Sequence, residues 1–276
     1  MAIKDGYTLV VLGAGVMGTA VTAAVTESNM KPFPKRVILC SKSANSHERL
    51  KKQFQQDYVE VVTDVDRKKA AIKEADVVLL GCKPFHFESV HEEVRDSLAH
   101  NPLVISLLAG VTIDNLSIFS DKIARVMTNT PAQFGAGMAT VALSESASEY
   151  RQFVVDFASC VGAAQEIPEK NMDAATALVG SGPAMCLLMM EALYDGGVRM
   201  GLTHDVARTA AAKVMEGTAK MALETGEHPA VLKSKVCTPG GTTIGGLLKL
   251  EDAGVRGAIA RAVEEAAIIS ASFAKK

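Results

Sequence analysis

The chain has 276 residues, 48% of them hydrophobic and 22% charged, with a formal net charge of −2. That length and apolar content supply two packed domains and exclude a disordered chain. Near charge balance, 5% aromatic residues and no tryptophan give no electrostatic or stacking reason to expect a nucleic acid or an anionic membrane as partner.

Met1 to Asp5 lacks the apolar core of a signal peptide, and an apolar strand, Tyr7 to Leu12, begins at once. It runs into Gly13-Ala14-Gly15-Val16-Met17-Gly18 and then a helix-like stretch, Thr19 to Thr26. This is a dinucleotide-binding turn in its proper context: Gly13 permits the tight turn, Gly15 lets a pyrophosphate approach the backbone, and Gly18 lets helix pack closely on strand. A second strand, Arg36 to Cys40, ends without the acid that grips the ribose of NAD. It continues instead into Ser41-Lys42-Ser43, whose hydroxyls and ammonium suit a 2′-phosphate, so NADPH is expected in preference to NADH, with Ser41 and Lys42 as contacts.

Further strands are predicted at Val59 to Val62, Val77 to Leu80 and Leu103 to Leu107, each separated by segments of helical length and polarity. The alternation predicts an α/β domain with a parallel, doubly wound sheet. Strands at Ile123 to Met127 and Gly137 to Leu143 extend its edge, before a helix around Glu149 to Cys160. In such a sheet the ligand lies beyond the carboxyl ends of the strands. The loops there carry Lys83-Pro84, Ala109-Gly110 and Asn129-Thr130-Pro131, small residues and prolines placed to press a flat cofactor against backbone.

The linker is expected near Gln165 to Lys170, dividing a dinucleotide-binding domain, residues 1–167, from a helical domain, residues 168–276, with no further strand. Helices are predicted over Met172 to Tyr194, His204 to Glu224 and Gly254 to Phe273. The longest uncharged run, Ala174 to Met190, falls short of a membrane span and contains Gly180-Ser181-Gly182-Pro183, which reads as a buried helix pair or a kinked helix. Helices rich in Ala, Met and Leu on more than one face need a partner chain or a large core, and the helical domain is small for the latter, so a homo-oligomer, at least a dimer through that domain, is expected. Five isolated cysteines without CxxC spacing fit a reducing compartment, the cytoplasm. His86 and His91 near Cys82 match no metal-ligand spacing, and no metal is expected.

The stretch Lys235 to Gly246 offers hydroxyls and backbone amides but no acid or histidine. Gly240 and Gly241 let backbone approach a ligand, and Leu247-Leu248-Lys249-Leu250 places a helix start just beyond, whose free amides attract a carboxylate. The competing reading is that Thr242 or Thr243 merely caps that helix.

With these motifs in view the chain resembles the pyrroline-5-carboxylate reductases. The resemblance spans nearly the whole chain and rests on the glycine turn, Lys83-Pro84, Ala109-Gly110-Val111, Met127 to Pro131, Gly180 to Ala184, Asp195 to Leu202 and Thr238-Pro239-Gly240-Gly241-Thr242-Thr243. It implies a nucleotide-binding domain followed by helices that interlock with a second subunit, and NAD(P)H-dependent reduction of 1-pyrroline-5-carboxylate to L-proline. It further implies that the Thr243 hydroxyl sits beside the imine nitrogen, and that Thr238 with the amides of Gly240, Gly241 and Thr242 holds the substrate carboxylate. Thr238 stands where many members have serine, which keeps the hydroxyl. Leu223 to Pro229 is looser, and Glu224 and Glu227 receive no role.

Rival readings differ in chemistry. A β-hydroxyacid dehydrogenase shares the domain order but needs a lysine on the helix after the glycine pair, where this chain has Pro183-Ala184-Met185-Cys186-Leu187-Leu188. A reductase of another cyclic imine carboxylate, or a dinucleotide sensor without turnover, would keep the fold and cofactor.

Overall fold

A computed structural model describes residues 3–273. Eight strands form one sheet: β1 (Tyr7–Leu12), β2 (Pro34–Cys40), β3 (Val59–Val62), β4 (Val77–Leu80), β5 (Leu103–Ser106), β6 (Ile123–Met127), β7 (Gly137–Leu143) and β8 (Gly162–Glu166). Their spatial order is β3-β2-β1-β4-β5-β6-β7-β8. The first six are parallel, β7 runs antiparallel to β6, and β8 lies parallel to β7. Chain order reverses between β1 and β4, which makes that junction the switch point of a doubly wound sheet.

Side-chain alternation divides the apolar strand residues between two cores. Leu9, Val11, Val37, Leu39, Val77 and Leu79 pack on one face with residues of α1 (Val16–Glu27), α2 (Ala44–Gln53) and α6 (Arg151–Ser159). Val10, Leu12, Ile38, Val78 and Leu80 pack on the other with residues of α3 (Val65–Lys73), α4 (Phe87–Val94) and α5 (Ile113–Leu116). Burial on both faces explains why these strands read as unbroken apolar runs.

Strand β8 has no counterpart among the predicted strands, and its last two residues, Gln165 and Glu166, fall within the expected linker. Gly162-Ala163-Ala164-Gln165-Glu166 has no β-branched or aromatic residue and is half-buried to exposed, so only its pairing with β7 makes it a strand. The sheet therefore ends close to the 167/168 division expected from the sequence. Compactness divides the chain later, into one unit running to Ser181 and including the C-terminal segment from Glu265, and another spanning Gly182–Glu264.

In the first unit α7 (Met172–Ala175) continues into a π-turn, Thr176–Gly180, closed by the Ser181 amide donating to the Thr176 carbonyl at 3.1 Å. Helical conformation continues through the glycines, and the expected burial of this segment does not hold within the chain. Helical conformation is longer than the uncharged run implied: Glu169–Arg199 covers 31 residues and is, by length and composition, long and apolar enough to cross a membrane. The second unit holds α8 (Gly182–Arg199), α9 (His204–Thr225), α10 (Pro229–Val236), α11 (Thr242–Asp252) and the start of α12 (Val255–Phe273). Helices α8 and α9 form a hairpin in which Gly197 admits Leu202 and Ala207, and the Tyr194 hydroxyl meets His204 Nδ1 at 2.6 Å. No residue of α8 is buried within the chain, and Leu187, Leu188 and Leu193 stand more than half exposed.

One ion pair ties the sheet to its flanking turns. Arg125 on β6, with a side chain 5% exposed, donates to Glu169 at 3.1 Å, and the same carboxylate accepts from the Ile113 amide at 2.7 Å. Glu169→Ala leaves a buried guanidinium unpaired. It is expected to cost about 3 kcal/mol and roughly 6–10 °C in Tm by calorimetry, whereas Glu169→Gln, which keeps an acceptor, costs less.

Candidate active site

A cleft of about 520 Å³ opens at the carboxyl ends of β1, β2 and β4, on the switch point. Gly13 to Met17, Ser41, Lys42, Lys83, Pro84 and Ala109 line it, so the structure brings together residues read from four separate loops. The turn is built by close backbone approach. Gly13 has φ +95°, and a Cβ there would lie 2.5 Å from the Cys82 amide nitrogen. Gly18 lies behind the cleft, where a Cβ would meet the Gly13 carbonyl at 2.6 Å. Gly15 differs: the nearest atom to a Cβ would be the Gly81 carbonyl at 3.8 Å, leaving its cleft side open. An open amide surface at the start of α1, with an orphaned buried hydroxyl at Ser41, is a donor set suited to a dinucleotide diphosphate and ribose.

The cleft's other polar groups were not apparent in the sequence. Ser43 is spent as the cap of α2, its hydroxyl accepting from the Ser46 amide at 3.2 Å, so it offers less to a ligand than the Ser41-Lys42-Ser43 run suggested. Arg49, from the same helix, lines the cleft and donates through Nη2 to the Ala14 carbonyl at 3.0 Å, bracing the glycine turn. Lys68 and Glu93 reach the cleft from α3 and α4 as an ion pair. Cys40 and Cys82 line it too. Burial pushes the Cys40 thiol up to about 12, against a smaller opposing pull from Lys68, and burial likewise raises Cys82. Both thiols are thus protonated and poorly nucleophilic near pH 7.

Other predicted contacts lie outside this cleft. Gly110 (φ +73°) faces the end of α12, where a Cβ would meet Phe273 Cβ at 2.6 Å, so its smallness serves packing within the first unit. Asn129, Thr130 and Pro131 follow β6, two strands beyond β4. The Asn129 carboxamide oxygen accepts from the Met138 amide at 3.2 Å, and Thr130–Phe134 forms a short 3₁₀ helix.

In the second unit the threonine loop joins α10 to α11. Thr242 and Thr243 are the first two residues of α11, and the cap position belongs to Gly241, so neither threonine hydroxyl caps the helix. Gly240 turns at φ +66°, and a Cβ on Gly241 would fall 2.3 Å from Thr238 Oγ1. The Thr238 hydroxyl therefore sits directly against the helix start. The Gly241 amide donates to the Thr238 carbonyl at 3.0 Å and is already committed, leaving the Thr242, Thr243 and Ile244 amides as the unpaired donors of the first turn.

A glycine-turn cleft at the switch point of a doubly wound sheet, in one chain with a hydroxyl-and-amide helix start, defines a nicotinamide-dinucleotide-dependent oxidoreductase. A pyrroline-5-carboxylate reductase of Kluyveromyces lactis is 43% identical, covering 98% of this chain and 99% of the relative. The chain belongs to the pyrroline-5-carboxylate reductase family. Residues 169–272 match the family model for pyrroline-5-carboxylate reductase dimerisation, and residues 8–110 match one described as NADP oxidoreductase, coenzyme F420-dependent. Among solved structures, a reductase of this family from Coxiella burnetii superposes with a TM-score of 0.87 at 28% identity, covering 99% of this chain and 100% of that one. The Plasmodium falciparum enzyme with NADP bound superposes with a TM-score of 0.84 at 26% identity, with the same coverage.

Proposed function

We propose that the chain reduces 1-pyrroline-5-carboxylate to L-proline, with NADPH preferred over NADH. The observation that carries this reading is the threonine loop: a helix start whose first amides are free, flanked by hydroxyls, in a run from Lys235 to Gly246 that contains no acid or histidine. Bound reduced dinucleotide supplies the hydride for the imine carbon. A protonated cyclic imine is already electrophilic, so the protein's task is to orient and to hold charge. The Thr242 and Thr243 amides and the Thr238 hydroxyl hold the carboxylate, and the Thr243 hydroxyl faces the ring nitrogen. Gly240 shapes that loop, while Gly241 contributes by being small enough to admit Thr238. On the cofactor side, the glycine turn takes the diphosphate and Ser41 and Lys42 take the 2′-phosphate. Lys83, Pro84 and Ala109 border the same cleft.

The exposed apolar face of α8 and the match of residues 169–272 to a dimerisation model support a homo-oligomer, at least a dimer, through the helices. The unbridged cysteines support a cytoplasmic setting.

The test is to mix the purified chain with pyrroline-5-carboxylate and each reduced nicotinamide, following absorbance near 340 nm. Turnover of a six-membered imine carboxylate in preference to the five-membered one would redirect the assignment, and binding without turnover would leave a sensor. Lys42→Ala is expected to weaken NADPH binding about tenfold and NADH binding less than twofold, measured by calorimetry.

A further inference from the structure

The charged pair in the dinucleotide cleft has no part in the glycine turn or the loop after β2. Lys68 on α3 and Glu93 on α4 hydrogen-bond as an ion pair, with side chains 8% and 24% exposed, and both line the cleft. The end of β2 is close by, since Cys40 lines the same cleft. Burying an ion pair sacrifices the hydration of both partners, and apolar residues of similar volume stabilise such a position as well or better. A pair at the wall of a ligand cleft therefore has a reason to exist if the ligand uses it.

The chemistry at that end of the cleft supplies the reason. The acid that accepts from an adenosine ribose hydroxyl is missing after β2, and Glu93 brings a carboxylate to the same region from another helix. A carboxylate there accepts from a free ribose diol and repels a 2′-phosphate; an ammonium does the reverse.

We propose that the Lys68–Glu93 pair is a specificity-determining pair in which Glu93 favours NADH, Lys68 positions Glu93 and offsets its charge, and together they limit the preference for NADPH. This rests on the dinucleotide reading of the cleft.

Calorimetric titration of NADH and NADPH into the full-length protein tests it. Glu93→Gln, which keeps size and removes charge, is expected to shift the affinity ratio about tenfold toward NADPH. The double variant Lys68→Gln/Glu93→Gln keeps a neutral hydrogen-bonded pair if the single variant does not fold. Its ratio is expected to move the same way by about threefold, through weaker NADH binding. A ratio unchanged within twofold in whichever variant folds, or a shift toward NADH, overturns the inference. Failure of the unaltered protein to bind either nucleotide overturns the dinucleotide reading, and the pair's role with it.

Discussion

Gly15→Ala weakens NADPH binding by about two orders of magnitude and leaves Tm within about 2 °C of the unaltered protein, whereas Gly13→Ala lowers Tm by roughly 6 °C or more. These are the expected outcomes for two glycines two residues apart, and the contrast is what makes the pair informative. A Cβ at Gly13 would sit 2.5 Å from the Cys82 amide nitrogen, on a backbone held at φ +95°. Both strand-end loops must move to admit it. At Gly15 the nearest atom would be 3.8 Å away, so the methyl fits the folded protein. It occupies the face from which a diphosphate reaches the amides at the start of α1. Thermal unfolding and nucleotide titration of both variants separate a residue needed for the turn from one needed for the ligand. Unimpaired NADPH binding by Gly15→Ala would remove the diphosphate from this turn.

The legible parts of the fold are those where local pattern and tertiary environment agree. Val59–Val62, Val77–Leu80, Ile123–Met127 and Gly137–Leu143 were bounded correctly because each is mainly apolar, with Glu60 and Arg125 as the charged interruptions, and is followed at once by a polar or turn residue. Strand β8 was missed because Gly162 to Glu166 has no strand propensity and is a strand only through pairing with β7. The helix Pro229–Val236 was also unread: a proline start after His228 and two lysines in its last turn are weak signals over eight residues.

The candidate site divides in the same way. The glycine turn and the threonine loop are contiguous in sequence, and both were read directly. Arg49, Lys68 and Glu93 reach the cleft from three helices, and nothing local distinguishes them from surface charges on amphipathic segments. At Gly110 a second constraint acts beside the strand-end position, since a Cβ there would meet Phe273. At Gly241 the amide donates to the Thr238 carbonyl, and the missing side chain makes room for the Thr238 hydroxyl.

The threonine loop leads to the second large effect. Thr243→Ala is expected to lower kcat for the imine about a hundredfold, with NADPH affinity changed less than twofold. Thr243 is the second residue of α11, and the cap role lies with Gly241, so losing the hydroxyl costs the helix little. The carboxylate keeps its donors, because the Thr242 and Thr243 amides belong to the backbone and survive the substitution. KM for the imine should therefore change less than kcat. In the role proposed for Thr243, what disappears is an oriented oxygen beside a nitrogen whose charge changes as hydride arrives, an interaction strengthened in the transition state and therefore visible in turnover. Thr243→Ser restores that oxygen and should recover most of the rate, while Thr243→Val, which keeps the shape without the hydroxyl, should behave like alanine. Steady-state rates at 340 nm and nucleotide calorimetry on the three variants decide the matter. A serine variant as slow as alanine, or a large loss of NADPH binding in any of them, removes Thr243 from the role assigned to it.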